Sequence, residues 1–226
     1  MQPRSLCKLI RDCHSELDDD VGKTLYKDSE LADFLNEAVE EACIRARLLV
    51  ESTAPDICRI PLRAGVGEYR LHPSVVVIRR AILKDSRAHS LKRTTSAVLD
   101  RHRHDWREHS GHPRYLVRDQ QARQIDITPV PDMDSELHLT VWRVPTEEEV
   151  MELPDDEPVI DAIHHRKLVN WACFRAYSKK DSEKEDLVRA DRHLVLFEQY
   201  FGPRPTAREL QQLAIDPVTG TKPYWF

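Results

Sequence analysis

The sequence lacks the motifs by which many enzymes and membrane proteins are recognised. Only six of its 226 residues are glycine, and it contains no Walker-type phosphate loop, no dinucleotide-binding glycine fingerprint and no serine nucleophile elbow. No apolar run approaches the roughly 18 residues that a membrane span needs. Residues 1–6 lead into an amphipathic pattern without the apolar core of a signal peptide. We therefore expect a non-enzymatic protein that is synthesised in the cytosol and has no cofactor and no membrane partner.

An excess of positive charge is also missing. The chain carries 34 lysines and arginines against 39 aspartates and glutamates, a formal net charge of −5. This balance argues against a dedicated nucleic-acid binder. The segment 79–123 is nevertheless rich in Lys, Arg and His, and 147–157 is strongly acidic. The basic segment keeps one alternative open, a cytosolic nucleic-acid-associated factor.

Cysteine and histidine do not form a recognisable framework. The five cysteines are odd in number and scattered, which favours reduced thiols in the core over disulfides. One histidine cluster could suggest a metal site, because imidazole is a common ligand. It consists of His102, His104, His109 and His112, interleaved with Arg101, Arg103 and Arg107. Since these arginines oppose a cation, we interpret the cluster as a polar loop and predict no metal.

Helical patterns occupy both ends of the chain. The apolar spacing predicts an amphipathic helix over 5–16 and a second one from about residue 28 to Pro55. Towards the C-terminus, Val159 to Tyr177 is apolar on more than one side, which indicates packing on several neighbours. A fourth helix should end at Gly202, and residues 208–213 suggest a short fifth.

The middle of the chain changes to a period of two. Residues 57–71 alternate around Gly65 and Gly67 and predict a β-hairpin. Further strands are expected at 75–83, 115–117, 125–127 and 137–141, with a helix-like polar stretch from 94 to 108. These strands predict an antiparallel module, a small barrel or a sandwich.

The predicted class is therefore α+β, a bundle of four to five helices with an inserted antiparallel β module. Residues 1–56 supply the N-terminal helices, 57–146 the β module with a polar excursion at 85–112, and 147–213 the C-terminal helices. Residues 214–226 form an extended tail that ends in Lys222, Pro223, Tyr224, Trp225 and Phe226. Three terminal aromatics predict a partner groove, because aromatics dominate interface energetics. Capping of the chain's own bundle and a frayed terminus are the alternatives.

An ordered set of short motifs resembles the head-tail adaptor (connector) proteins of tailed bacteriophages. The set spans residues 5–202: a helix with the sequence DSELADFLNEA at 28–38, then GEYRL at 67–71, GHPRY at 111–115, PVPD at 129–132, WRVP at 142–145, and Tyr177 followed by Asp181, Glu183 and Phe197 to Gly202. The resemblance implies a structural subunit of the virion, located at the head-tail interface, and no catalysis.

The resemblance also implies partners. It predicts a homo-oligomeric ring, commonly a dodecamer, that joins the portal protein to a tail tube or tail nozzle protein, with DNA only as passing cargo. We expect the residues Leu31, Phe34, Leu35, Trp171, Phe174, Phe197 and Phe201 to pack neighbouring copies. A second set, Arg101, His102, Arg103, His104, Trp106 and Arg107, should face the tail or a neighbouring subunit. The terminal residues 222–226, which match no motif of the family, are expected to bind the portal.

Overall fold

The computed structural model describes residues 2–19, 25–85, 88–102, 104–119, 123–179 and 186–216. These residues combine α-helices with several β-sheets, which confirms the predicted α+β class. The helices are α1 Leu6–Glu16, α2 Asp28–Ala46, α3 Pro55–Cys58, α4 Ser96–His102, α5 His165–Tyr177, α6 Leu187–Phe201 and α7 Ala207–Leu213. The strands are β1 Leu49–Glu51, β2 Arg59–Leu62, β3 Glu68–Arg70, β4 Val75–Lys84, β5 His89–Ser90, β6 Lys92–Thr94, β7 Ser110–Gly111, β8 Tyr115–Val117, β9 Gln124–Thr128, β10 Val130–Pro131 and β11 Ser135–Arg143. A 3-10 helix covers Glu147–Glu149.

The chain divides into two compact units. The first contains the described residues of 1–49 and 144–205, and the second contains those of 50–143 and 206–216. One part of the predicted division needs correction, because α7 was expected to extend the helical bundle. It lies instead in the second unit, where it contacts β4. Prolines at 203 and 205 separate α7 from α6, since proline cannot continue a helix.

The first unit is a bundle of the four helices α1, α2, α5 and α6. The apolar stripes predicted for α1 and α2 face inward, and Leu9, Leu31 and Leu35 are fully buried. Helix α5 contacts each of the other three, as its wide apolar surface predicted. Helix α6 ends at the expected place, where Gly202 has a positive φ of 89° and its N–H donates to the carbonyl of Glu198.

The acidic segment after the β module completes α1. The first N–H groups of a helix have no intrahelical acceptor. Here the N–H of Leu6 donates to the carbonyl of Asp156 (2.7 Å), and the N–H of Cys7 donates to that of Pro154 (2.9 Å). The amide of Asn36 on α2 exchanges two hydrogen bonds of 3.0 Å with the backbone of Met151. This acidic segment therefore contributes to the bundle.

His165 explains why α5 begins later than the predicted Val159. Its ring is 1% exposed, its Nε2 donates to the carbonyl of Ile160 (2.9 Å), and its Nδ1 accepts the backbone N–H of Arg4 (3.1 Å). Both ring nitrogens are thus bonded in a neutral tautomer. The preceding residues form turns that supply the first of these partners.

The described residues of the second unit form three sheets. The largest has the order β1, β11, β4, β5, with β2 also paired to β11, and the next has the order β3, β9, β8, β6. The third pairs β10 with β7. Two pairs, β6 with β8 and β7 with β10, are parallel, which corrects the all-antiparallel expectation. None of these sheets closes into a barrel within the described residues.

The predicted hairpin at 57–71 is wrong. Strand β2 pairs with β11, and β3 pairs with β9. The turn between them bonds elsewhere: the N–H of Gly65 donates to the carbonyl of Pro131, and the carbonyl of Gly67 accepts the N–H of Ile127, both at 2.8 Å. Ile57, expected in a strand, lies in α3, which a proline at its first turn favours.

Candidate interaction surfaces

Most of the residues expected to pack neighbouring copies lie in the core of the bundle itself. Five of the seven are at most 7% exposed: Leu31, Leu35, Trp171, Phe197 and Phe201. Because these side chains pack within their own subunit, they offer little surface to another copy, and Trp171 offers the most of the five. The other two, Phe34 and Phe174, are only partly buried at the edge of the same core. They remain candidates for an interface.

These two aromatics line one groove of the bundle, which we call the α2/α5 groove. Its volume is about 580 Å³. The lining consists of Glu30, Phe34, Glu37 and Glu41 of α2, Trp171, Phe174 and Arg175 of α5, and Ser178, Lys179 and Arg204 beyond the helix ends. The lining thus combines three aromatic side chains with charged side chains of both signs.

The charged residues that line the groove are acidic on α2, and the one on α5 is basic. Arg175 donates to Glu37 at 2.5 Å, and its guanidinium carbon lies 5.5 Å from the centre of the Phe34 ring. Lys179 forms an ion pair with Glu30. The cation–π contact and the ion pairs restrain the Phe34 side chain at the edge of the groove.

A buried arginine contacts two residues that line the groove, Glu41 and Trp171. The side chain of Arg45 is 4% exposed and donates to Glu41 (3.1 Å) and to Glu198 (3.0 Å). Its guanidinium carbon also lies 5.2 Å from the centre of the Trp171 ring. These contacts join α2, α5 and α6 at one point, so that the groove has a rigid base.

A second apolar surface, which sequence reasoning missed, lies on α6. Val188 is 82% exposed, Val195 is 49% exposed, and Leu196 and Tyr200 are each 41% exposed. We call these four residues the outer α6 face. Their spacing of i, i+7, i+8 and i+12 is helical and could have indicated a second stripe beside the buried one. Contiguous exposed apolar residues of this kind mark interaction sites.

The polar excursion contains a small core of its own. Trp106, predicted to face the tail or a neighbour, is 2% exposed and packs in a cluster with Leu99, Tyr115 and Val117. Its indole Nε1 donates to Asp100 at 2.7 Å, and this hydrogen bond lowers the pKa of that carboxyl group. Trp106 therefore supports the excursion and is not available to a partner.

The charged residues of the excursion remain at the surface. Arg101, His102, His104 and Arg107 are exposed, and Arg107 lies over the Trp106 ring at 4.2 Å and pairs with Asp100 at 3.0 Å. Arg103 lies outside the described residues. A role for this loop in contacting the tail or a neighbour stays a prediction for these charged side chains.

Two arginines of the basic segment point inward. Arg93 donates to Asp216 and to the backbone carbonyls of Ile78 and Leu213. Arg118 donates to the carbonyls of Val76 (2.7 Å) and Val75 (3.3 Å), and burial lowers the pKa of its guanidinium group. Neither group is free to bind a phosphate. The basic surface is therefore smaller than the sequence suggested.

The histidine cluster does not converge as a unit. Among the described residues, the one group of three possible metal ligands is Asp85, His89 and His112. His112 alone of the four predicted cluster members belongs to it. The cysteines are all free, four are buried as expected, and Cys7 is exposed. The C-terminal residues 222–226 lie outside the described residues, so their predicted portal contact stays a prediction.

These surfaces lie in a chain that matches one family along nearly its whole length. The family model of the SU10 adaptor protein matches residues 8–219. The chain belongs to the SU10 adaptor protein family. This confirms the resemblance drawn from the ordered motifs. No curated protein matches the chain with significance.

Membership in the SU10 adaptor family makes the chain a phage adaptor protein. Such a protein belongs to the virion, interacts with capsid and tail components, and is structural, which implies that it is not an enzyme. Within the described residues, no helix combines the length and apolar character that crossing a membrane requires. The family match ends three residues before Lys222, so it does not include the aromatic tail.

Proposed function

We propose that the chain is a subunit of a homo-oligomeric ring, twelvefold in order, that joins the portal vertex of the capsid to the tail. In this role the ring continues the DNA channel of the portal, and DNA passes through it without being a specific ligand. Membership in the SU10 adaptor family supports this proposal. The observation that carries it at the level of residues is the outer α6 face, where four large side chains are exposed.

A ring needs two different surfaces on each subunit. In a heterologous interface one patch of a copy contacts a different patch of the next, and the ring closes when the rotation permits. The outer α6 face and the α2/α5 groove share no residue. One is a set of exposed apolar side chains on a helix surface, and the other is a concavity that three aromatic side chains help to line. We propose that the face of one copy packs into the groove of the next.

The predicted partners follow from this arrangement. The portal and a tail tube or tail nozzle protein contact the two ends of the ring, with residues 222–226 at the portal and the charged excursion at the tail or a neighbouring subunit. The alternative, a nucleic-acid-associated factor, is less favoured, because Arg93 and Arg118 of its basic segment bond within their own unit.

The test compares assembly of the purified chain and of two valine variants by light scattering and negative-stain microscopy, alone and with portal rings. Val195→Glu places a charge on the outer α6 face, and Val66→Glu is the matched control at a comparably exposed position outside it. We expect rings from the unmodified chain and from the control, but not from Val195→Glu.

Two results would contradict the proposal. One is assembly of Val195→Glu equal to that of the unmodified chain. The other is an unmodified chain that stays monomeric with and without portal. Circular dichroism verifies that both variants are folded. Binding of duplex DNA with a steep salt dependence would favour the alternative function.

A further inference from the structure

Three side chains of the second unit meet at one point. Asp85 follows β4, His89 begins β5 and His112 follows β7. Asp85 Oδ2 lies 3.2 Å from His112 Nε2 and 3.7 Å from His89 Nδ1. The remaining pair, His112 Nε2 and His89 Nδ1, is 3.4 Å apart. Three possible ligand atoms from separate segments therefore form a small triangle.

The edges of this triangle match a tetrahedral zinc site. Zinc bonds imidazole nitrogen and carboxylate oxygen at about 2.0–2.2 Å, so two ligands of a tetrahedron are about 3.3–3.6 Å apart. The three observed distances lie within or close to this range. An octahedral ion at the same bond lengths would need edges of about 3 Å.

A backbone carbonyl fixes the tautomer of His89. His89 Nε2 lies 2.9 Å from the carbonyl oxygen of Pro113, which can only accept a hydrogen bond. The Nε2 nitrogen must therefore carry the proton, and in the neutral ring the lone pair is on Nδ1. Ligating histidines commonly have their second nitrogen fixed by such an outer partner. The lone pair of His89 is therefore on Nδ1, the nitrogen that faces Asp85 and His112.

Solvent can reach the site. The side chains of Asp85, His89 and His112 are 11%, 32% and 46% exposed. The carboxylate, the least exposed of the three, supplies the negative charge that a divalent cation needs. A protein site with three ligands leaves the fourth position of zinc to water.

We propose that Asp85, His89 and His112 form a zinc site whose fourth ligand is water. Pairing of Leu83 with His89 holds β5 beside β4, so that Asp85, the residue after β4, lies near His89, and His112 approaches both from a distant segment. Zinc would thus join the ends of the polar excursion. The site goes beyond the adaptor function and is independent of ring formation.

The test uses the full chain, stripped with a chelator and titrated with zinc chloride by calorimetry. We expect one zinc ion per chain and a higher unfolding temperature with zinc. The His112→Ala variant removes the most exposed ligand and should weaken binding at least tenfold, since loss of an outer-shell partner alone costs about 10–100-fold. The matched control is His102→Ala, an exposed histidine of the same excursion that lies outside the triangle.

Cobalt(II) provides a second readout that does not depend on a variant. Its visible spectrum should show the intense bands of four-coordination and no thiolate charge-transfer band, which excludes the five cysteines as ligands. The proposal is overturned if the unmodified chain binds no stoichiometric zinc, if the cobalt spectrum shows thiolate ligation, or if folded His112→Ala binds zinc as tightly as the control. In each of these cases the three residues form only a polar cluster.

Discussion

Arg93 and Asp216 bond to each other through both backbone and side chain. The N–H of Arg93 donates to Asp216 Oδ2 (2.8 Å), its Nε donates to Oδ1 (3.0 Å), and the N–H of Asp216 donates to the carbonyl of Arg93 (3.1 Å). The two residues are 123 positions apart in the sequence. This pair attaches the segment after α7 to strand β6.

Substitution of Asp216 should therefore destabilise the second unit. We expect Asp216→Ala to lower the free energy of unfolding by about 1–3 kcal/mol, because it removes charge-assisted hydrogen bonds to a largely buried guanidinium. Denaturant unfolding followed by circular dichroism measures this change. Asp132→Ala, an exposed aspartate of the same unit, is the control and should stay within about 0.5 kcal/mol of the unmodified chain. An equal effect of the two substitutions would contradict the assignment.

A second prediction concerns acid stability. The carboxylate of Glu51 accepts the backbone N–H of Thr53 (2.8 Å), the Thr53 hydroxyl, and the N–H groups of Ser52 and Ala54, which lowers its pKa to about 2. The folded-state pKa lies below the ordinary value of 4.5. The resulting stabilisation, of order 1–3 kcal/mol because solvent screens this carboxylate, is therefore present above pH 4.5 and lost as pH falls towards 2.

The measurement is the free energy of unfolding as a function of pH for the unmodified chain and for Glu51→Gln. The difference between the two should be largest near neutral pH and should shrink between pH 5 and pH 2, because glutamine does not titrate. Glu108→Gln, at an exposed position of the same unit, controls for loss of a surface charge. A difference that stays constant over this range would contradict the prediction.

A third prediction distinguishes a core role of Trp106 from an interface role. Because the ring is 2% exposed, Trp106→Ala should lower the free energy of unfolding by about 3–5 kcal/mol. Trp106→Phe keeps most of the apolar contact and should cost less. Glu108→Ala, at an exposed position of the same excursion, is the control for assembly. If Trp106→Ala has normal stability but fails to assemble, Trp106 contacts another subunit and is not a core residue.

Local patterns in the sequence were sufficient for several elements. The stripes of α1 and α2 and the alternation of β11 each depend on one face of one element, and burial of that face follows from the hydrophobic effect. The α+β class could be predicted in this way, whereas the family followed from the resemblance of the ordered motifs. The hairpin could not, because alternation at 59–70 gives the faces of β2 and β3 but not their partners, which lie more than 50 residues later.

The candidate surfaces were harder to predict for a related reason. An amphipathic pattern does not tell whether an apolar residue packs on its own subunit or on a neighbour, so Phe197 was assigned to the ring although it is fully buried. Likewise, Asp85, His89 and His112 show no ligand spacing in the sequence. Strand pairing between β4 and β5 brings the first two together, and the third comes from a separate segment.

A fourth prediction separates the two classes of aromatic residue in the bundle. Phe34→Ala should leave the subunit stable but weaken ring assembly at least tenfold, because Phe34 is partly exposed in the α2/α5 groove and aromatics are frequent hot spots. Phe197→Ala, in the core, should instead lower the free energy of unfolding by about 3–5 kcal/mol. Sedimentation velocity and thermal unfolding of both variants measure the two effects. Full assembly of Phe34→Ala would exclude the groove from the ring contact.

The last prediction concerns residues 222–226. Deleting them retains the pair of Arg93 and Asp216, so the unfolding temperature should not change. Portal binding should weaken by about 30-fold, the effect of losing an aromatic hot spot of about 2 kcal/mol. Surface plasmon resonance on immobilised portal rings measures this affinity.

A longer deletion, of residues 214–226, serves as the control for stability. It also removes Asp216 and should therefore lower the unfolding temperature, which the shorter deletion does not. Retention of full portal affinity by the shorter truncation would assign portal binding to the region matched by the family, which ends at residue 219. Weakened binding without loss of stability would instead assign it to Tyr224, Trp225 and Phe226, because they are the large apolar side chains that this deletion removes.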